Sequence, residues 1–549
     1  MRAGVLAAAL TVALALAVPA AAGAFTPTAM TAAPANTQAT ANSDFTIDFG
    51  VDDPAADLRS FSVHLPPGEW AALAATPKCT TAQFSAKACP AGTQAGTATA
   101  TLDDPGLDPI AGTIYRLAPP GSAPGRLGLR LRLPTGDETL LQSAINVRTG
   151  DHGLDFTFTG MPRLPGTHIT ELSLTLAGTA GAPATGYMSN PSTCAPAATA
   201  VDATAYDGSS GSATATFTPT GCAAVPFAPT LTAIAAGTAV GARAQLMAIV
   251  QWGPHQAAPA TIALTLPAGI SPVQATQRAC AATRVAAQSC PLSAQVGSVQ
   301  AHTPVVAAAL QGPIVLATSP IGALPAIVLD FRGPFDMQVR APVAFGPFGR
   351  LLTVASPFPD LPLSQLTLTL NAGDNGMLIN RRDLCDAPAP TIDAGFTART
   401  GASSAGSAIV ATPGCATVVP RISAQLKGIR RHKPSLSLRV RATTGPRLTS
   451  VAVSLPRTVR VLRKRARRAL AVVSGGLRVV RPSLRARTRS LTVRALPNGG
   501  SRAIRMNIHR GAMLAKRSVR QGARVRIVVT TVDATGRARK RALRVRAGR

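Results

Sequence analysis

Eight cysteines fall into two sets of nearly the same spacing: Cys79, Cys89, Cys194 and Cys222, then Cys280, Cys290, Cys385 and Cys415. Successive separations are 10, 105 and 28 residues in the first set and 10, 95 and 30 in the second. Two chemistries compete for such residues. Structural zinc wants close C-x₂-C spacing with further Cys or His nearby. Here nine residues lie inside each close pair and no histidine clusters with them, so neither a metal nor a cofactor is expected. Disulfides suit an even count in an exported chain. Short loops favour pairing Cys79 with Cys89, Cys194 with Cys222, Cys280 with Cys290 and Cys385 with Cys415; the alternative joins the halves of each set, as in Cys79 with Cys222. Each staple would contribute roughly 2–4 kcal/mol, which matters in domains rich in Ala with only 4% aromatic residues.

Catalytic chemistry leaves little trace. His64, His152, His168, His255, His302, His432 and His509 are scattered, and no H-E-x-x-H, nucleophile elbow, P-loop or dinucleotide fingerprint occurs. The protein reads as not an enzyme; the rival is a secreted hydrolase whose site assembles at a domain junction. Two acidic clusters share a form, Asp52-Asp53-Pro54 with Asp57 and Asp103-Asp104-Pro105 with Asp108. Grouped carboxylates are what Ca²⁺ needs, so a calcium-dependent adhesin is a second rival, although Asp and Pro also favour solvated turns. Trp70 and Trp252 do not match between repeats and read as core rather than as sugar-stacking platforms.

The charge is concentrated at one end. The net charge is +31, yet residues 416–549 hold 36 Lys and Arg against one acid, Asp533. Codon bias can favour Arg but does not remove Asp and Glu. Arg439 and Arg441, Arg460, Arg524 and Arg526, and Arg544 and Arg546 alternate with Val, Leu and Ile. Period-two alternation places the apolar residues in a core and arrays arginine on the other face. Arg463, Lys464, Arg465, Arg467 and Arg468 form a dense cluster expected in a loop. Such a sheet should bind polyanions by bidentate contacts. The expected partner is an anionic cell-wall polymer or a membrane surface, with non-specific extracellular nucleic acid bound through phosphates alone, because no aromatics interleave to stack bases.

The elements that would hold these residues are strands. Phe45 to Val51, Leu127 to Leu133, Leu172 to Leu176 and Leu366 to Leu370 alternate at period two, separated by runs drawn from 48 Gly and 46 Pro. The expected fold is all-β, a row of Ig-like β-sandwich domains with disulfides in the first two repeats. The duplication extends beyond cysteine. Leu65-Pro66-Pro67-Gly68 and Leu266-Pro267-Ala268-Gly269 each sit 14 residues before a cysteine, Pro90 and Pro291 follow the second cysteines, and Gly96 and Gly297 lie seven residues past those cysteines. A third, cysteine-free copy begins at Pro420. The expected organisation is a signal peptide at 1–24, a first repeat at 25–222, a second at 223–415, and a shorter basic domain at 416–549. The leader reading rests on Arg2, an apolar run from Val5 to Val18, and Ala22-Gly23-Ala24 before Phe25; it implies a secreted, cell-surface-associated protein.

The Leu65 to Gly96 block, with INVRTGDHGL (Ile145 to Leu154) and SNPSTC (Ser189 to Cys194), resembles a family of uncharacterised exported repeat proteins of high-GC actinobacteria. The first copy matches best. The second has Asn380-Arg381-Arg382 where N-P is expected and lacks the V-R-T-G stretch. The resemblance implies extracellular β domains and supplies no catalytic residues.

Overall fold

The computed structural model describes residues 25–548 apart from 76, 122, 182–184, 274–278, 320–323, 386–387, 414, 416–419, 443–446, 475–476, 479–482, 488, 495–500 and 534–537. The leader expected at 1–24 lies outside the described residues. The chain divides into two compact units, Met1–Thr220 and Gly221–Arg549. It is a tandem array of all-β sandwich domains.

In the first unit eleven strands form one hydrogen-bonded circuit. Its order is Pro27–Pro34, Phe45–Val51, Ile169–Leu176, Gln94–Leu102, Ile110–Leu117, Gly125–Arg132, Glu138–Val147, Leu154–Thr159, Leu58–His64, Ala197–Ala205 and Ser210–Phe217. The two ends of this order meet where Thr220 N donates to Thr37 O and Ala39 N to Thr220 O, both at 2.8 Å. Alternation drives the layering: Phe45, Ile47 and Phe49 point inward with Phe61, Val63 and Phe158. The Phe49, Phe61 and Phe158 rings stack through the core at centroid distances of 5.9 and 5.6 Å.

The second repeat draws the same circuit with the break elsewhere. Thr230–Ala236 and Ser403–Ala411 pair directly, in parallel, through Ala233 with Val410 and Ile234 with Ala411. The counterpart of the long strand Glu138–Val147 is split into Met337–Ala341 and Val343–Phe345. Pro342 stands between them, and proline has no N–H to offer a ladder.

Motifs shared by the repeats have local causes. In Leu65-Pro66-Pro67-Gly68, Glu69 N closes a turn on Pro66 O at 3.1 Å; Ile270 N closes the matching turn on Pro267 O at 3.2 Å. Gly68 and Gly269 take φ of 90° and 87° there, the left-handed region glycine enters without steric cost. After each Cys-Pro, the proline carbonyl accepts from Thr93 N or Ala294 N at 2.9 Å, opening a short 3₁₀ turn.

Cys79 is bonded to Cys89, Cys280 to Cys290 and Cys385 to Cys415. Cys194 and Cys222 are also in disulfides. The close pairs enclose short helices, Thr81–Ser85 and Ala282–Ala286, which bury Phe84 and Val285. The first helix has a capping box from Thr80 and Gln83; the second, with Ala281 at that position, has no side-chain cap.

The third repeat is a reduced version. One sheet orders Arg421–Lys427, Ser435–Arg441, Ala503–Ile508, Leu470–Ser474 and Leu477–Arg478; the other orders Ser483–Arg487, Ser490–Arg494, Leu448–Ser454, Arg524–Asp533 and Ala538–Arg546. Its core is aliphatic, built on Leu436, Leu438, Val440, Val451, Val453, Met506, Ile508, Ile527 and Val529. The basic cluster expected in a loop is instead a helix, Arg463–Arg468. It occupies the place in chain order held by the disulfide-enclosed helices of the other repeats. Arg and Lys are good helix formers, and Ala466, fully buried, gives this one its anchor.

Candidate polyanion-binding faces of the third repeat

Alternation in Ser435–Arg441 buries Leu436, Leu438 and Val440 and exposes Arg439 and Arg441. In Arg524–Asp533 it buries Val525, Ile527 and Val529 and exposes Arg524 and Arg526. Arg544 and Arg546 are exposed on the last strand. Register then brings arginines together that are distant in sequence. Arg524 lies opposite Arg546 and Arg526 opposite Arg544. On the other sheet Arg421 lies opposite Arg441, and Arg439 opposite Arg505. Like charges directly opposed across strands destabilise a sheet. Among the described residues no carboxylate lies within ion-pair distance of these eight guanidinium groups. The one acid of the segment, Asp533, is buried at the far end of its strand from Arg524.

Arg421 and Arg505 complete these pairs but were not among the arginines expected from the sequence. Their alternation is visible in R-I-S-A-Q-L-K and A-I-R-M-N-I, but only register shows what they oppose. The remaining expected residues are dispersed. Arg460 is exposed on the short strand Val459–Val461, which pairs with Met513–Ala515. Lys464, Arg465 and Arg468 are exposed on the basic helix; the side chains of Arg463 and Arg467 lie outside the described residues.

Asp52, Asp57, Asp103, Asp104, His64 and His168 are engaged within the fold. Asp57, 7% exposed, receives Arg163 Nε and His168 Nδ1 at 2.8 Å each. Burial pushes its carboxyl up, but the hydrogen bonds from His168 and Arg163 outweigh that and hold it below the usual aspartate value. Asp103 accepts from His168 N at 2.8 Å and Thr167 Oγ1 at 2.7 Å, which lower its pKa. The two acidic clusters thus meet on His168, and Asp52 and Asp104 accept backbone N–H groups of Thr26 and Gly106. Among the described residues no group of three His, Cys, Asp or Glu is placed to hold a metal ion. His64 has both ring nitrogens against carboxylates, Nδ1 on Asp155 and Nε2 on Asp202 at 3.0 Å each, leaving neither nitrogen to activate a nucleophile. The second repeat holds an apolar cavity of about 50 Å³ lined by Leu246, Ala248, Ile314, Leu368 and Met377, far below the size of a small-molecule site.

Arg148 of V-R-T-G is also structural. Its Nη2 donates to Leu65 O at 2.8 Å, and its Nε and Nη2 grip Asp151 at 2.8 and 2.9 Å. In the second repeat Arg350 Nε donates to Leu266 O at 2.8 Å, and Arg350 pairs with Asp393. The N-P element behaves likewise: Asn190 Nδ2 donates to Asn36 O and Gln38 O, and Asn380 Nδ2 to Gly237 O and Ala239 O.

No protein family matches the chain, and no curated protein matches it. Solved structures with some likeness include a putative membrane anchored protein from Corynebacterium diphtheriae (8% identity, 94% of this chain and 89% of that one, TM-score 0.16). Others are the collagen binding domain of the Erysipelothrix rhusiopathiae surface protein RspB (9% identity, 57% and 88%, TM-score 0.18) and the Enterococcus faecalis MSCRAMM ACE (6% identity, 70% and 95%, TM-score 0.17). At such TM-scores these likenesses carry no argument about ligand or activity. No helix among the described residues is long and apolar enough to cross a membrane.

Proposed function

We propose that this is an exported, surface-associated, non-enzymatic β-repeat protein whose third repeat holds it to an anionic surface polymer. The observation that carries this is the cross-strand pairing of Arg524 with Arg546, Arg526 with Arg544, Arg421 with Arg441 and Arg439 with Arg505, without carboxylates. A fold that sets guanidinium groups face to face gains when a bound anion replaces the missing acids, and arginine grips phosphate or carboxylate through two parallel N–H bonds. Disulfide bonding at all eight cysteines supports an oxidising compartment. The first two repeats, with their charge balanced close to zero, add little to this electrostatic attachment.

Cosedimentation of the protein with isolated cell walls across a salt series tests this, beside the variant R524Q/R526Q/R544Q/R546Q. The expected result is binding that weakens steeply as salt rises and drops with the substitutions. Equal, salt-insensitive binding by both proteins would remove the third repeat from the attachment.

A further inference from the structure

Resting on that reading, the register of the arginines narrows the polymer. Opposed residues on antiparallel strands have Cα atoms about 4.5–5.5 Å apart. The next pair on the same face comes two residues later, about 7 Å along the strand. Arg524 with Arg546 and Arg526 with Arg544 therefore stand as two guanidinium pairs in file, one strand step apart. Arg439 and Arg441 repeat the step on the other sheet, with Arg505 and Arg421 as their partners on opposite flanks.

A pair of guanidinium groups can chelate one phosphate from two sides. The following phosphate then has to arrive about 7 Å further on. A peptide repeat of three backbone bonds spans about 3.3–3.6 Å, so six backbone bonds between phosphorus atoms span the required step. A glycerol-phosphate chain has six. Inorganic polyphosphate has two, so its charges crowd a single arginine pair. A nucleic-acid backbone also has six, but single strands are held largely by bases stacking on aromatic side chains, and residues 416–549 contain no Phe, Tyr or Trp. We infer that the paired arginines of the third repeat recognise a linear poly(glycerol phosphate), one phosphate to each cross-strand arginine pair.

The test is titration of the full chain, at several salt concentrations, with three probes of equal total charge: a glycerol-phosphate oligomer, inorganic polyphosphate and oligo-dT. The expected result is affinity for the glycerol-phosphate oligomer about tenfold above that for inorganic polyphosphate. R526Q/R544Q should lower that affinity about tenfold and flatten its salt slope, as the loss of phosphate contacts requires. Equal or tighter binding of inorganic polyphosphate would overturn the spacing argument while leaving electrostatic attachment standing. Tighter binding of oligo-dT would make the occupant nucleic acid and overturn the assignment. Binding of none of the three would take down both this inference and the attachment reading beneath it.

Discussion

Arg148 and Arg350 serve equivalent carbonyls, Leu65 O and Leu266 O, from opposite strands of equivalent hairpins. In the first repeat Arg148 N donates to Gly153 O; in the second Gly346 N donates to Arg350 O. Arginine and glycine have exchanged places across the turn. The two glycine positions differ in room: a Cβ on Gly153 would lie 1.9 Å from Arg148 Nη2 and 2.6 Å from Leu65 O, whereas on Gly346 its nearest neighbour would be Leu352 Cβ at 3.4 Å. One guanidinium serves each corner, and in the first repeat the position across from it has to stay empty.

Arg350→Ala should therefore destabilise the second repeat by about 2 kcal/mol, the usual cost of a lost charge-assisted bond to a poorly exposed acceptor. Placing arginine back on the first strand with G346R/R350G should recover more than half of that loss, whereas G346R alone should be worse than wild type. Thermal unfolding of the three variants checks this; no recovery in the double variant would mean that the two hairpins are not interchangeable.

Asp57 makes stability depend on acid. Its folded pKa is depressed from 3.8, so its contribution is complete above that unfolded value and disappears as pH falls through the lower folded one. Asp57→Asn should cost about 1–2 kcal/mol at neutral pH, discounted because Arg163 is 62% exposed and water screens its arm. The gap between the two proteins in denaturant titrations should close as the pH falls below 3.8. A gap that stays constant with pH would assign the loss to packing.

The face arginines predict a gain. Each opposed like-charge pair costs about 0.2–1 kcal/mol, so R526Q should raise the melting temperature of the free protein in low salt. The advantage should shrink as salt screens the repulsion. A melting temperature lowered by R526Q at every salt concentration would show that the arginines already have partners.

The close disulfides predict a loss that differs little between repeats. Cys79–Cys89 and Cys280–Cys290 each close a loop of sequence separation 10, and removing either as a Cys→Ser pair should cost about 2–3 kcal/mol. The second repeat should be affected somewhat more, because its enclosed helix lacks the Thr80–Gln83 type of cap. Chemical unfolding of the two double variants decides it.

What the sequence disclosed depended on whether a feature is local. Leu-Pro-x-Gly and Cys-Pro are turn chemistry, and each could be read from its own few residues. The corner arginine of the second repeat could not, because its counterpart had moved to the other side of a hairpin; the absence of V-R-T-G concealed a retained contact. Asn380 kept the task of Asn190 without the proline beside it. Exposure of Arg439, Arg441, Arg524 and Arg526 followed from alternation, but which arginine faces which is a property of register. That hid Arg421 and Arg505. The basic helix escaped notice because its six residues, Arg463–Arg468, are too few to show a helical period.

The closing of each strand circuit sets how a repeat meets tension. Thr230–Ala236 and Ser403–Ala411, the first and last strands of the second repeat, lie side by side and parallel. Gln38 and Thr220 meet in the same sense in the first. Pulling such a domain by its two ends drags neighbouring strands past each other lengthwise, so their hydrogen bonds are strained together rather than peeled one at a time. A repeat closed this way resists tension at its most loaded seam.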